Sequence, residues 1–549
     1  MKKPLLSELT LREKIGQMGN YRNWDIVDKI KNNHKDLPLI GSIWAMGALD
    51  MKVINMADES TGEKIPAKSQ WEFLHEFNKQ AKIPTIIAMD STKGIARAFY
   101  DLSMVMDSPT VGATGSEELS YRLGVSKANE LKCAGSQWLW GPEEDLANRC
   151  SAVSLGRKFS DNPDMVIKLA NAQNKGIQSA NVAATAKHFP GDDELEYRDA
   201  HVSSAMIHIS VDDWWKKQGR IFQEVINSGV YSVMVGHQSF PAYDNTKKNG
   251  EYIPATASYK IVTELLKGEM GFDGVVITDA IGMHSLVEMF GDHIRISIEC
   301  IKAGCDVILG AQGEFIDGVE QAVLNGEIPV ERIDDACQRI LDMKEKLGIF
   351  DAPLEEMNQD EVVYESNKLT REISEKALSL VCDNNSLLPL NPEKHKKFTI
   401  VYSGYGQGVF ESLEFMKDEL LNQGAQEVNI VRGLKSGNEA IKLSSESDIM
   451  LYVAHIGCHQ PRGGSTFQDD EFMTFYHTTI GNQKGKRIGV SLGSPFVYFD
   501  YYKGFDCFIN AYNYTEATQR AFVKALFGKL PFEGGHPFKL IPDGFEVNY

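Results

Sequence analysis

The chain has little of what marks several common protein classes. It has no uninterrupted apolar run of about 18 residues, and so no stretch that reads as a membrane-spanning helix. Its opening Met1-Lys2-Lys3-Pro4-Leu5-Leu6 turns polar at Ser7 and Glu8, too short an apolar stretch for a secretory signal core. Cysteine is sparse: eight residues run from Cys133 to Cys507, with no Cys-x-x-Cys pair, and the closest two are Cys300 and Cys305. Scattered thiols without an export signal point to a reduced compartment, with neither disulfides nor zinc, and to a cytoplasmic location. Positive charge is in deficit. Lys plus Arg number 57 against 76 Asp plus Glu, a net of −19, which opposes partnership with nucleic acid or an anionic membrane. Internal repeats and low-complexity tracts are absent. What remains is an ordinary globular composition, 42% hydrophobic and 24% charged over 549 residues, enough for two or three domains with deep cores.

Short apolar runs recur along the first part of the chain, at 40–46, 84–90, 137–141, 181–188, 232–237, 274–279 and 306–310, with helical stretches between them. Buried parallel strands joined by helical crossovers have this look. Seven runs fit an α/β architecture of the (β/α)8 barrel type with one strand unread. A second pattern starts near residue 398, with runs at 398–403, 428–431, 448–455, 487–492 and 507–511 and helices at 409–423, 437–444 and 515–527. Five strands in so short a span predict a smaller, doubly wound α/β sandwich. The expected division is a barrel at 1–350, a linker at 351–397 and the second domain at 398–549.

Several barrel runs end in a polar residue, and barrels carry function at the C-terminal ends of their strands. Asp90, His188, His237 and Asp279 all fall there. The densest polar segment is Lys187-His188-Phe189-Pro190-Gly191-Asp192-Asp193-Glu194-Leu195-Glu196-Tyr197-Arg198-Asp199-Ala200-His201. In it Asp199 lies two residues before His201, near enough to orient the imidazole and raise its basicity for acid/base work. A solvated acidic loop is the plainer reading of that run. Asp279 reads either as a nucleophile or as the cap of the next helix, and Asp90 carries the same ambiguity. Arg157 reads as a fork for hydroxyls or as a surface residue, and His237 as a ligand or a structural histidine. Trp138 and Trp140 read as core, or one of them as the lining of a pocket. Two further patterns are weak. His455 and His459 have metal-ligand spacing but leave a strand and lack the glutamate of a metalloprotease. Gly404-Tyr405-Gly406-Gln407-Gly408 lacks the remainder of any nucleotide-binding signature. No cofactor and no metal is expected.

Together these motifs resemble glycoside hydrolase family 3, and within it the β-N-acetylglucosaminidase branch. The resemblance rests on Leu9–Met18, on Gly156-Arg157-Lys158-Phe159, and above all on Lys187-His188-Phe189-Pro190-Gly191. Further along it rests on Gly271-Phe272-Asp273-Gly274 through Thr278-Asp279, on Ser386-Leu387-Leu388-Pro389-Leu390, on Ala511–Ala517 and on Leu526-Phe527-Gly528. It implies a retaining mechanism in which Asp279 attacks the anomeric carbon. His201, held by Asp199, is then the acid/base, and Asp90, Arg157, Lys187 and His188 bind sugar hydroxyls, with His237 also lining the substrate. The implied partners are a small carbohydrate and, because an imidazole does not repel an anion as a carboxylate does, inorganic phosphate as an alternative acceptor. A β-glucosidase or β-xylosidase drawing its acid from 459–471 is the rival enzyme; a non-catalytic sugar-binding protein is the rival of another class. Oligomeric state is left open. The chain departs from the branch at Asp192-Asp193, at Ser91-Thr92-Lys93-Gly94-Ile95 and at Ala280, which bears on the exact sugar; the acidic loop raises the question of selection for cationic or amino sugars.

Overall fold

The computed structural model describes residues 2–45, 65–91, 99–103, 106–147, 156–352, 354–406, 408–456, 467, 469–480 and 486–541. By packing, the chain divides into two compact units. The first comprises Met1–Val105, Ser120–Asn148 and Val166–Ser366; the second comprises Met106–Leu119, Arg149–Met165 and Asn367–Tyr549.

The first unit is α/β. Its short strands are β1 (Gly19–Arg22), β2 (Ser42–Trp44), β3 (Ile86–Met89) and β4 (Trp138–Leu139). They continue with β5 (Thr185–Phe189), β6 (Ser232–Val235), β7 (Val275–Thr278) and β8 (Ile308–Leu309). All pairings among them are parallel, in one sheet ordered β8-β1-β2-β3-β4 and another ordered β5-β6-β7. Isolated parallel bridges, Trp138 to Ala183 and Ile277 to Val307, link the two sheets at both ends. Helices intervene between the strands, as parallel pairing requires. Seven strands coincide with the apolar runs. The eighth, β1, is Gly-Asn-Tyr-Arg and follows directly on the helix Leu11–Met18.

Strand interiors are filled by residues such as Ile43, Ile87, Ala186, Val233 and Ile277, each buried. Trp138 lies in the same core, its indole N–H donating to Thr185 Oγ1 at 2.8 Å and Ser232 Oγ at 2.9 Å. Trp140 is buried as well. At the N-terminal ends of the strands the helix Leu11–Met18 starts from a capping box, with Glu13 N–H on Thr10 Oγ1 and Thr10 N–H on Glu13 Oε2. Gly16 on this helix faces Leu39 so closely that a Cβ would meet the Leu39 carbonyl oxygen at 2.3 Å. Lys344, fully buried, donates beside it to Gln17 Oε1 (2.7 Å), Gly41 O (2.9 Å) and Pro84 O (2.8 Å). Three acceptors match the three protons of an ammonium and tie the helix Val330–Lys346 to the entries of β2 and β3.

The second unit is built on a six-stranded sheet. Its strands are β9 (Ser379–Asp383), β10 (Lys397–Tyr405), β11 (Glu427–Arg432), β12 (Ile449–Ile456), β13 (Arg487–Ser491) and β14 (Cys507–Asn510), in the order β9-β14-β13-β12-β10-β11. All pairings are parallel except β9 on β14. Alternation along the strands feeds two cores. Phe398, Ile400, Leu451, Val490 and Ile509 pack on one face, and Val401, Met450, Tyr452 and Phe508 on the other. The stretches Met106–Leu119 and Arg149–Met165 join this unit through contacts such as Asn513 Nδ2 to Asp107 Oδ2 at 3.3 Å and Ser160 Oγ to the Pro537 carbonyl.

Among the described residues, no helix is long and apolar enough to cross a membrane.

Candidate active site

Because β3 to β7 run parallel, the residues that follow them gather at one end. In register, Lys187 faces Met234, Phe189 faces Val235 and Val235 faces Thr278. Lys187-His188, Gly236-His237 and Asp279 therefore sit at neighbouring strand ends. Lys187, almost wholly buried, points its ammonium at Asp90 Oδ1, 3.0 Å away, with the Asp90 carboxylate 39% exposed. A lysine so buried needs acceptors for its ammonium, and Asp90 supplies a charged one.

Asp279 closes β7. Its Oδ1 accepts the Ala280 N–H at 2.7 Å, and its Oδ2 lies 3.9 Å from His188 Nε2. Burial alone would raise its pKa. The positive fields of His188, His237 and His201 and the Ala280 N–H outweigh that and hold the carboxyl far below the usual range, so it is ionised. A helix-capping role is not what Oδ1 shows: its bond goes to the adjacent residue, and the next helix begins at His284.

His188 is held from behind. Asp145, fully buried, accepts the His188 main-chain N–H at 3.0 Å and the imidazole Nδ1 at 2.8 Å on one oxygen, and the Asp192 N–H at 3.1 Å on the other. Burial acts to lower the His188 pKa, but Asp145, then Glu143 and Asp279, carry it above its ordinary value. Glu144 accepts the Lys187 main-chain N–H at 2.8 Å and an Asn174 amide proton at 3.1 Å, and burial holds its carboxyl well above the usual range. Glu143, Asp145 and His188 approach one another closely enough to form a metal-sized group. The Nδ1 of His188 is already engaged by Asp145, so the cluster reads as an orienting network. The residues Glu143-Glu144-Asp145 escaped the sequence reading. The available signal was three consecutive carboxylates just past a buried strand, where each must find a donor.

His237 is buried next to the Asp279–Ala280 segment. Its Nε2 donates to the Ala280 carbonyl at 3.0 Å and its Nδ1 meets Thr256 Oγ1 at 2.6 Å, while burial pushes its pKa down. It braces the loop after β7.

The Asp199–His201 pair is formed. Asp199 Oδ1 accepts both the His201 main-chain N–H (2.8 Å) and Nδ1–H (2.7 Å), which assigns the Nδ1 proton and leaves Nε2 for chemistry. The imidazole is 31% exposed, and its field is among those acting on Asp279. The rest of the acidic loop is occupied internally. Asp192 Oδ1 takes Gln238 Nε2, Asp193 Oδ1 takes the Leu195 N–H at 2.8 Å, and Glu194 pairs with Lys217 at 2.6 Å. These contacts shape the loop.

Arg157 belongs to the second unit, in the half-buried turn preceding Phe159. Residues 92–95 and 459–466, His459 among them, lie outside the described residues, as does Gln407. His455 is engaged at Nδ1 by the Tyr405 carbonyl at 2.7 Å. Gly404, at φ +150°, lies where a Cβ would meet the His455 carbonyl oxygen at 2.1 Å, so close strand packing accounts for that glycine.

A carboxylate held ionised, a carboxylate-oriented imidazole and a lysine–aspartate pair thus come from the ends of parallel strands and from the loop after β5. The family model for the glycosyl hydrolase family 3 N-terminal domain matches residues 10–343. The chain belongs to glycoside hydrolase family 3. It is 25% identical over 484 residues to a β-N-acetylglucosaminidase/β-glucosidase of Cellulomonas fimi, covering 83% of this chain and 84% of that one. Among solved structures it is similar to a β-glucoside phosphorylase, with TM-score 0.83, 25% identity, and 97% and 95% of the two chains covered. A family 3 β-N-acetylglucosaminidase from Paenibacillus sp. str. FPU-7 matches with TM-score 0.81 and 23% identity over 97% of this chain and 99% of that one.

Proposed function

We propose that this glycoside hydrolase removes terminal β-linked N-acetylglucosamine with retention of configuration. The observation that carries the reading is the Asp199–His201 pair, with its 2.7 Å hydrogen bond, acting on the same site as the ionised Asp279. In the first step Asp279 forms a bond to the anomeric carbon while the glycosidic C–O bond breaks and His201 Nε2 gives its proton to the leaving oxygen. In the second step His201 takes a proton from water, the oxygen bonds to the anomeric carbon, and the Asp279 ester opens to return the carboxylate. Asp199 holds the imidazole tautomer and stabilises the imidazolium. Asp90, Lys187 and His188 make up the sugar-binding set. In this reading the eight strands β1 to β8, whose two sheets are joined by bridges at both ends, close as a (β/α)8 barrel. The stretch 351–397, expected as a linker, carries β9 of the six-stranded sheet, so the sandwich draws on residues before 398; the protein works in the cytoplasm.

A phosphorylase is the second reading, favoured by the imidazole acid/base, which presents no negative charge to an incoming anion, and by the similarity to a β-glucoside phosphorylase. Incubating the protein with an aryl β-N-acetylglucosaminide, with and without phosphate, and identifying the sugar separates the two. Free N-acetylglucosamine in both supports the hydrolase. N-acetylglucosamine 1-phosphate with faster turnover supports the phosphorylase. No reaction in either, with activity on glucosides or xylosides, overturns the choice of sugar.

A further inference from the structure

The loop between Gly191 and His208 has no regular secondary structure, yet it must present His201 in one place. Apolar packing anchors only the leaving arm, where Ala205 and Ile207 are buried. Around the dyad the large apolar side chains face solvent, with Leu195 72%, Tyr197 64% and Val202 67% exposed. What ties that part of the loop is polar. Glu196, itself buried, accepts the Arg198 main-chain N–H at 2.9 Å and Arg198 Nε at 2.8 Å on Oε1. Its Oε2 accepts the Arg198 guanidinium and the Met206 N–H, the latter at 2.9 Å, with His208 Nε2 at 3.5 Å. One carboxylate thus joins the arm entering the dyad to the arm leaving it. The leaving arm is fixed further: Ile207 N–H donates to Ser239 O at 2.8 Å and Ser239 N–H to Ala205 O at 3.1 Å, beside the end of β6. At the tip, His201 O accepts the His284 N–H at 3.3 Å, on the segment that follows the nucleophile. Burial works to raise the Glu196 pKa, but Arg198 and the two main-chain N–H groups bring it down to about 2, so the clamp is charged across the working range.

We propose that Glu196 is a positioning residue for the reaction, closing the neck of the acid/base loop so that His201 meets the leaving oxygen. This rests on the assignment of His201 as acid/base. Glu196 touches no reacting atom in this scheme; it acts through Arg198, Met206 and the dyad between them.

The test is the leaving-group dependence of kcat/KM, which reports the step in which the leaving group departs. A 2,4-dinitrophenolate leaves without a proton, whereas the sugar hydroxyl of N,N′-diacetylchitobiose needs one. Glu196→Ala is expected to lose about 10- to 100-fold in kcat/KM on the disaccharide, part of what general acid catalysis contributes, and to stay within about threefold of wild type on the 2,4-dinitrophenyl β-N-acetylglucosaminide. Glu196→Gln keeps an oxygen for the Met206 N–H and falls between. Azide should raise kcat of the alanine variant on the dinitrophenyl substrate, because its attack on the anomeric carbon expels the Asp279 carboxylate and needs no base. Equal losses on both substrates, or no loss on the disaccharide, overturn the positioning role. Should Glu196→Ala show no cooperative unfolding, Glu196→Gln decides by the same criteria. His201→Phe runs alongside: a leaving-group split there with none in the Glu196 variants rejects this inference alone, and no split in His201→Phe rejects the acid/base assignment.

Discussion

Replacing His188 by Asn should make Asp279 harder to ionise. In the folded protein His188 Nε2 stands 3.9 Å from Asp279 Oδ2, and at that distance two unit charges attract by about 4 kcal/mol at an effective dielectric of about 20. That is equivalent to about 3 pK units. The Asp279 side chain is 21% exposed, so solvent screens part of the interaction, and an upward shift of about 1 to 2 units is the working expectation. The sign follows from charge: losing a cation disfavours the carboxylate, its pKa rises, and the acid limb of kcat/KM moves to higher pH. Asn leaves the main-chain N–H on Asp145 in place, so the β5 exit is kept. The assay is kcat/KM against pH on an aryl β-N-acetylglucosaminide, with thermal unfolding at each pH to exclude loss of fold. An acid limb that coincides with wild type, or that moves to lower pH, would refute the electrostatic account of Asp279.

Asp145→Asn should remove the support of His188. The His188 pKa is raised above its ordinary 6.5, so the stabilisation it draws from Asp145 is complete below about pH 6.5 and is lost as pH rises through the raised value. The variant should show a flatter decline in urea midpoint above pH 6.5 than wild type; equal slopes would contradict it. Lys344→Met leaves Gln17 Oε1, Gly41 O and Pro84 O without their donor, at about 1–3 kcal/mol for each one unsatisfied. A loss of about 3 kcal/mol in urea unfolding is expected, with activity per folded molecule near wild type. Acid should release the Glu196 clamp. Its pKa is lowered to about 2 from 4.5, so its contribution is present above pH 4.5 and lost as pH falls through about 2. Limited proteolysis in the 197–205 stretch should rise over that window and not at neutral pH.

The strands that could be read ahead of the structure are those whose run is uninterrupted, such as Val-Val-Ile-Thr in β7, where both faces are buried. β1 was hidden because Asn20 and Arg22 break the apolar pattern, yet its polarity has a use inside the sheet. Asn20 O accepts the Gly310 and Ala311 N–H groups, and its side-chain amide donates to Ser42 Oγ at 3.0 Å. β9 escaped for another reason: it pairs antiparallel at an edge and only half-buries its side chains, in a stretch that read as linker. Among the candidate residues, the strand-end placement of Asp90, His188, His237 and Asp279 was legible because strand ends are marked in sequence, and the contact of Asp199 with His201 because they lie two apart. Asp145 was not, since what makes it useful is the approach of His188 and Asp192 from another strand. The partners of the acidic loop, Gln238 and Lys217, come from distant segments that no spacing rule supplies.

The central claim is that Asp279 becomes covalently attached to the sugar. Intact mass spectrometry after reaction with 5-fluoro-N-acetylglucosaminyl fluoride, followed by peptide mapping, tests it directly. The account expects one sugar residue per chain, carried on Asp279, with turnover blocked in step with labelling and no label on Asp279→Asn. A label on another carboxylate, or full turnover of the fluoride with no adduct and undiminished activity of Asp279→Asn, would contradict it.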